Sequence, residues 1–317
     1  MKIGIYGYGN LGRAAEILSS DFGITVSAVF TRRDPDSVRT LRAPIYSRRQ
    51  AADFKNEIDC MLLCGSSLGD VREDAFEIAK HYNTVDAFDI HSEIKGYKSQ
   101  LDAVAKRSGH SSVVAAGWDP GVLSIFRAYF SSIMPRGEVN TFWGRGVSQG
   151  HSEVIRGISG VKRAVEYTVP SVDALSLARS GKTVDKYKRH TRECYVVADA
   201  CDHERIEQTI KAIAEYYSGY DTDVHFIDEA AFMKSHLSMP HKGECIAFNM
   251  SGFYREHISR AELNISMDSN PEFTASAMLA YAAACDKLSR EARYGAFDVL
   301  DIPMRYLLCD DRADKLI

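Results

Sequence analysis

Residues 2–12 read Lys2-Ile3-Gly4-Ile5-Tyr6-Gly7-Tyr8-Gly9-Asn10-Leu11-Gly12, and their reading decides the fold. A short apolar strand, carrying Ile3 and Ile5, runs into Gly7-x-Gly9-x-x-Gly12. Arg13-Ala14-Ala15-Glu16-Ile17-Leu18 then continues as a helix. A glycine triplet between a strand and a helix is the fingerprint of dinucleotide binding. Gly7 permits the tight turn, Gly9 lets the backbone approach a pyrophosphate, and Gly12 lets the helix pack closely on the strand. The helix N-terminus offers free N–H groups and a positive dipole end to the phosphates.

The end of the second strand selects the dinucleotide. Ile24–Phe30 is β-branched and apolar and ends in Thr31-Arg32-Arg33. An NAD enzyme places Asp or Glu here for the ribose hydroxyls, whereas arginine accommodates a ribose 2′-phosphate. A guanidinium grips phosphate through two parallel bonds, and Thr31 adds a third donor. Asp34 follows too late to take the acidic role. The expected cofactor is NADP(H) rather than NAD(H).

A chain of 317 residues holds two domains and a sizeable core. Its net charge of −4 and the lack of a basic run exclude a nucleic-acid binder on electrostatic grounds. No apolar stretch approaches the roughly 20 residues of a membrane span. The N-terminus reads straight into a strand, so no signal peptide is expected. The seven scattered cysteines (60, 64, 194, 201, 245, 285 and 309) suit free thiols in a reducing cytoplasm. Cys60 and Cys64 would stand about 13 Å apart on a strand, too far to share a metal. The histidines show no ligand spacing, and no metal is expected.

The first third alternates strands (2–6, 24–30, 59–64, 83–88, 112–116) with helices (10–20, 70–81, 93–107). This is the pattern of a parallel sheet with helices on both faces. After residue 120 the character changes. Strands are expected at 192–199, 222–228 and 257–267. The last turns Ala261, Leu263, Ile265 and Met267 one way and Arg260, Glu262, Asn264 and Ser266 the other, as in an antiparallel sheet wet on one side. Helices are expected near 160–166, 172–180 and 203–217. Asn270-Pro271 opens a further helix, running to about Tyr294. The fold class is α/β. Residues 1–120 form a Rossmann-type NADP-binding domain, 121–268 an α+β substrate-binding and dimerisation domain, and 269–317 a C-terminal segment returning to the nucleotide domain.

Ligands of such sheets sit at the carboxyl ends of the strands. That rule selects Cys64-Gly65-Ser66-Ser67, Ala87-Phe88-Asp89 and Ala116-Gly117-Trp118-Asp119-Pro120 as cofactor-facing turns. Asp89 and Asp119 each follow a strand, and two carboxylates in one place hold an ammonium group beside a nicotinamide. Asp119 before Pro120 also reads as the N-cap of a helix over 120–133. Trp118 and Trp143 border glycine-rich loops and read as walls of a cleft. His241 stands in a loop, and by themselves Thr168 and Arg192 carry no signal. The residues alone therefore reach an NADP-dependent oxidoreductase with an acidic cleft. Another two-domain dehydrogenase, of the inositol or homoserine type, and a non-catalytic NADP-binding sensor remain as alternatives. Many of the former place a Lys in the cleft, and none stands beside Gly117-Trp118-Asp119-Pro120-Gly121.

The chain resembles the meso-diaminopimelate dehydrogenases over nearly its whole length. The resemblance is carried by Tyr8-Gly9-Asn10-Leu11-Gly12-Arg13, Thr31-Arg32-Arg33, Gly117-Trp118-Asp119-Pro120-Gly121, Thr141-Phe142-Trp143-Gly144, Ser148-Gln149-Gly150-His151-Ser152, Tyr167-Thr168-Val169-Pro170-Ser171, Met239-Pro240-His241 and Asn270-Pro271-Glu272-Phe273. It implies a homodimer that oxidatively and reversibly deaminates the D centre of meso-2,6-diaminopimelate with NADP+, in lysine and cell-wall precursor synthesis. The products are L-2-amino-6-oxopimelate, which cyclises to tetrahydrodipicolinate, and ammonia. The resemblance further implies that Asp89 and Asp119 hold the amino group at the D centre and that Trp143 walls the site. The backbone at Gln149-Gly150 would take the adjacent carboxylate. Thr168, Arg192 and His241 would hold the distal carboxylate, with Asn270 helping there. Asn10, Leu11, Thr31, Arg32, Arg33, Gly65 and Ser66 would line the cofactor. Phe88, Ile90 and Arg145 depart from the Tyr, Asn and Pro that the family pattern leads one to expect.

Overall fold

In a parallel sheet covered on both faces, both side-chain sets of each strand are apolar, and the first strand obeys this from Ile3 to Tyr6. The computed structural model describes residues 1–67, 69–214, 216–308 and 313–316. In chain order its elements are β1 (Lys2–Tyr6), α1 (Asn10–Leu18), β2 (Thr25–Thr31), β3 (Ile45–Ser47), β4 (Cys60–Leu63), α2 (Asp70–Ile78), β5 (Asn83–Asp86), α3 (Ile94–Ser108), β6 (Ser111–Val114) and α4 (Val122–Ile133). There follow β7 (Glu138–Trp143), β8 (Gly146–Val147), α5 (Gln149–Arg156), β9 (Val161–Pro170), α6 (Val172–Arg179), β10 (His190–Ala198), α7 (His203–Ala212) and β11 (Thr222–Phe226). The chain ends with α8 (Glu229–Ser235), β12 (His241–Ser251), β13 (His257–Met267), α9 (Asn270–Arg290) and β14 (Gly295–Asp298).

The chain divides into two compact units, Met1–Ile125 with Pro271–Ile317, and Phe126–Asn270. The first unit is built on a seven-stranded sheet of order β14-β6-β5-β4-β1-β2-β3, parallel throughout. Alternation sorts its side chains. Ile3, Ile5 and Leu62 meet Ala14 and Ala15 of α1 and Met278, Leu279 and Leu288 of α9. Tyr6, Met61 and Leu63 meet Val71, Ala75 and Ile78 of α2 and Tyr97 and Leu101 of α3 on the other face. Each such fully buried side chain contributes about 1.5–3 kcal/mol. The alanine-rich helix α9 thus belongs to the core of this unit, and its alanines favour helix and allow close approach.

The second unit holds two sheets. One is four-stranded, of order β11-β10-β9-β8, and the other three-stranded, of order β13-β12-β7. The three-stranded sheet is antiparallel, and β13 alternates as its sequence requires. The four-stranded sheet is mixed, because β11 runs parallel to β10 while β9 runs antiparallel to it. Helices α5 and α7 cover one face of it through Ile155, Ile206 and Ile210. Phe232 of α8 packs on the other face. Helix α6 covers the three-stranded sheet through Ala174, Leu175 and Ala178.

Two expectations need correction. The segment expected as a helix near 160–166 is strand β9, paired with β10 over its length. From Val165 to Val169 it alternates apolar and polar residues, the period of a strand and not of a helix. The helix after Pro120 begins at Val122. The N-cap position therefore falls to Gly121, and Asp119 lies ahead of it. Gly121 is required there, because a Cβ at its φ of +134° would stand 1.8 Å from the Gly117 carbonyl oxygen.

Among the described residues no helix is long and apolar enough to cross a membrane, and no group of three or more His, Cys, Asp or Glu is arranged for a metal. None of the described cysteines is in a disulfide; five are buried and Cys201 is exposed. Cys309 lies outside the described residues.

Candidate active site

The glycine turn follows β1 at the carboxyl edge of the sheet. Gly7 has φ +97°, and its N–H donates to Phe30 O at 2.8 Å, tying the turn to β2. A Cβ on Gly12 would meet Gly7 O at 2.2 Å, whereas one on Gly9 would meet nothing within 4 Å. The turn is therefore closed toward the sheet and open in front of the N-terminus of α1, as a pyrophosphate needs. A cavity of about 250 Å³ lies here, lined by Gly7, Gly9, Thr31, Arg32, Arg33, Gly65, Ser66 and others. A second, of about 270 Å³, is lined by Asn10, Arg13, Arg33, Ser37 and Arg39 among others.

The expected phosphate grip is built by mutual bracing. The buried Thr31 accepts from the Arg33 N–H at 3.1 Å. Arg33 reaches the Tyr8 carbonyl at 2.5 Å, and Arg32 pairs with Asp70 at 2.9 Å. Glu16 holds the flank by accepting a bond from Tyr8 and backbone N–H groups of Leu41, Arg42 and Ala43. Those bonds keep its carboxyl below the usual range against the opposing effect of burial, the largest single influence on it. Asp70 lines the first cavity and Arg13 and Arg39 the second, positions that the sequence did not single out. Leu11, Ala87, Phe88 and Ala116 turn their side chains into the apolar clusters. Phe88 stacks on Tyr97 with ring centroids 4.4 Å apart. That leaves their backbone atoms as the part available to a cofactor.

Asp89 and Asp119 follow β5 and β6 on the same edge. Asp89 is exposed and its N–H donates to Ser67 Oγ at 3.2 Å; Asp119 is half-buried. Both turns are organised by Asp86, which sequence reasoning missed. Its fully buried carboxylate accepts from the Phe88 N–H and the Ala115 N–H, each at 3.0 Å, and from the Tyr97 hydroxyl at 2.8 Å. Burial raises its pKa despite these bonds. The visible signal was a carboxylate at the end of an apolar strand. Trp118 is buried, 8% exposed, and is part of the core of its turn rather than an open wall.

In the second unit the cross-strand register places Gly146, Thr168 and Arg192 side by side on β8, β9 and β10. The Arg192 Nη1 donates to Thr168 Oγ1 at 2.5 Å, and the guanidinium lies 4.5 Å over the Tyr220 ring. His241 opens β12 rather than standing in a loop, and is 4% exposed. Its Nδ1 is 2.8 Å from the Lys242 carbonyl, so that nitrogen carries the proton. Gly146 is obligatory, because a Cβ there would lie 2.4 Å from the His241 ring. The Asn270 N–H donates to Met239 O at 2.9 Å, two residues before His241.

The structure thus joins Thr168 to Arg192 and sets His241 against Gly146 beside them, while Asn270 is tied by its backbone to Met239. Gln149 and Gly150 start α5 just after β8, with Ser148 as N-cap. Trp143 ends β7, half-buried. Its N–H donates to His190 Nε2 at 2.8 Å, and its ring stacks on His190. His190 was not legible in the sequence. Burial, with Arg192 and Arg189 nearby, lowers its pKa to about 3 and keeps it a neutral acceptor. Glu166, also missed, is fully buried beside Thr168 and Arg192, and burial raises its pKa to about 7. Its signal was the two-residue spacing from Thr168, which puts both on one face of a strand.

Comparison with known proteins agrees with this geometry. Residues 117–269 match the model of the diaminopimelic acid dehydrogenase C-terminal domain. The meso-diaminopimelate D-dehydrogenase of Acetivibrio thermocellus is 42% identical over 313 residues, covering 97% of this chain and 94% of that protein. Among solved structures, the Corynebacterium glutamicum diaminopimelate dehydrogenase in complex with diaminopimelate superimposes with a TM-score of 0.95 at 36% identity, covering 100% of this chain and 98% of the other. An engineered D-amino acid dehydrogenase bound to NADP+ gives 0.92 at 35% identity, covering 100% and 99%. Similarity of this extent, over the whole chain and both units, has one reading: the chain belongs to the meso-diaminopimelate D-dehydrogenase family.

Proposed function

We propose that this chain carries out the NADP-dependent, reversible oxidative deamination of the D centre of meso-2,6-diaminopimelate. Amino acid, NADP+ and water give L-2-amino-6-oxopimelate, ammonia, NADPH and a proton. The keto acid cyclises to tetrahydrodipicolinate. The observation that carries the reading is the Gly146–Thr168–Arg192 row with His241 against it: a buried cation and hydroxyl opposite a glycine, suited to a carboxylate, in a member of this family.

When bound, NADP+ supplies the hydride acceptor. The open face of Gly9, the N-terminus of α1, Thr31, Arg32 and Arg33 would hold its phosphates. Asn10, Gly65, Ser66 and the turns at Cys64–Ser67, Ala87–Asp89 and Ala116–Pro120 would line the rest. Asp89 and Asp119 bind the ammonium group of the D centre and take its proton, leaving the neutral amine that hydride loss requires. Trp143 walls the reacting end, and the Gln149-Gly150 backbone takes the adjacent carboxylate. Thr168, Arg192, His241 and Asn270 grip the distal carboxylate. Stereochoice follows from positioning, because gripping the far end fixes which hydrogen faces the nicotinamide.

The same reading makes residues 1–120 the nucleotide-binding domain, 121–268 the substrate and dimer domain, and 269–317 a segment packing on the former. It also makes the protein a cytoplasmic homodimer serving lysine and cell-wall precursor synthesis. The apolar side of the edge strand β13, half-exposed at Ala261, Leu263 and Ile265, supports the dimer. Incubation of the purified protein with NADP+ and separated diaminopimelate stereoisomers tests the function. Cofactor reduction with the meso isomer alone is expected, and reduction with the LL isomer or none at all would overturn it.

A further inference from the structure

We infer that Glu166 is a positioning residue whose protonation readies the Thr168–Arg192 pair for a substrate carboxylate, so that capture of the distal carboxylate is coupled to uptake of a proton. The inference rests on the placement of that carboxylate at Thr168 and Arg192. A threonine hydroxyl has one proton to donate and two lone pairs. The Thr168 hydroxyl accepts from Arg192 Nη1 at 2.5 Å and stands 3.1 and 3.3 Å from the two Glu166 carboxylate oxygens. With Glu166 ionised, the single Thr168 proton is committed to Glu166. Thr168 then has no donor for a ligand, and Arg192, 3.5 Å from Glu166 Oε1, has its charge balanced within the cluster.

Protonation of Glu166 reverses both conditions. The carboxylic O–H donates to the remaining lone pair of Thr168, whose own proton is released toward an incoming anion. The net charge of the pair rises from zero to +1, which is what a carboxylate needs. Arg192 moreover keeps a buried Nε without a partner, a donor that the protein itself does not use.

The surroundings make Glu166 the group that answers to pH near neutrality. From β10 it faces Arg192, Glu193 and, directly across the ladder, Cys194. Glu193 is paired with Arg145. Burial pushes the Cys194 thiol and the nearby Tyr217 hydroxyl far upward. From α5, His151 faces Arg192 and is lowered to about 3 by burial, hence neutral. The part of β8 beside it, Gly146 and Val147, carries no titratable group. Glu166 itself, with a side chain 0% exposed, is shifted up to about 7 by burial against the opposing pull of Arg192.

The test is the pH dependence of KM for meso-diaminopimelate from pH 6 to 9 at saturating NADP+, in wild type, Glu166→Gln and Arg192→Met. The glutamine amide imitates the protonated acid. Wild-type KM is expected to rise toward about tenfold per pH unit above neutrality, as one linked proton requires. In Glu166→Gln the rise is lost, and the change falls on KM rather than kcat. Calorimetry of meso-diaminopimelate binding to the NADPH complex, in two buffers of different ionisation heat, should show proton uptake in wild type that the variant lacks. Arg192→Met separates the two levels of the reading. If it leaves KM unchanged, the placement of the carboxylate fails. If it raises KM while Glu166→Gln follows the wild-type profile, only the role of Glu166 fails. A flat wild-type profile without proton uptake overturns the inference even if Glu166→Gln does not fold.

Discussion

Trp143 and His190 are joined twice, by the Trp143 N–H to His190 Nε2 at 2.8 Å and by ring stacking with centroids 5.1 Å apart and planes 29° apart. The histidine is 3% exposed. One buried side chain on β10 thus sets both backbone and ring of the tryptophan that ends β7, just before Gly144 and β8.

His190→Phe keeps a ring but removes the acceptor. The bond from the half-buried Trp143 N–H is then lost, at a cost of about 0.5–1.5 kcal/mol. The expected outcome is a lower Tm and a KM for meso-diaminopimelate raised about tenfold, with the Kd for NADPH within about twofold of wild type. An unchanged KM would make His190 a packing residue only.

Asp119→Asn keeps shape and removes charge. Asp119 lies three residues ahead of Val122, where the helix starts. Its carboxylate is expected to act on the substrate amine, with kcat falling about a hundredfold or more, in the range of lost general acid–base catalysis. NADPH affinity, measured by fluorescence titration, should change little. Equal loss of both would return Asp119 to a structural role.

Arg32→Ala removes one arm of the phosphate grip while the Arg33 contact to Tyr8 remains. NADPH binding is expected to weaken by about tenfold or more, with little effect on NADH, because a lost charge-assisted bond costs roughly 1.5–3 kcal/mol. The ratio of the two dissociation constants is the decisive quantity. An unchanged ratio would remove Arg32 from the grip.

Stability should fall on the acid side of neutrality. Native His151 and His190 take a proton only near pH 3, because burial opposes the charge, whereas unfolded histidine takes one near 6.5. As pH falls from 6.5 toward 3 the unfolded state therefore binds more protons, and unfolding becomes easier. Glu166 acts in the opposite sense. It holds its proton to about 7 in the native state against 4.5 unfolded, so its contribution declines as pH rises between those values. Two histidines outweigh one glutamate. Urea unfolding at pH 5, 6 and 7 should show little change just below pH 7, where the two effects cancel, and a net loss below pH 6 that approaches about 1.4 kcal/mol per unit, the value for one proton. The slope should steepen in Glu166→Gln and flatten in His190→Phe. A pH-independent midpoint would contradict all three assignments.

By itself the sequence determined what depends on neighbours in the chain. The glycine turn, the parallel strands β1, β2, β4, β5 and β6, the basic end of β2 and the alternation of β13 are written in spacings of two to four residues. Backbone sterics and helix or strand periodicity act over that range. The remainder came from contacts between distant parts of the chain. Glu166 meets Arg192, Trp143 meets His190, and Asp86 meets Ala115 across 26, 47 and 29 residues. A buried polar group has value only through its partner, and cross-strand register chooses that partner. The same cause placed His241 on a strand, opposite Met267, instead of in a loop.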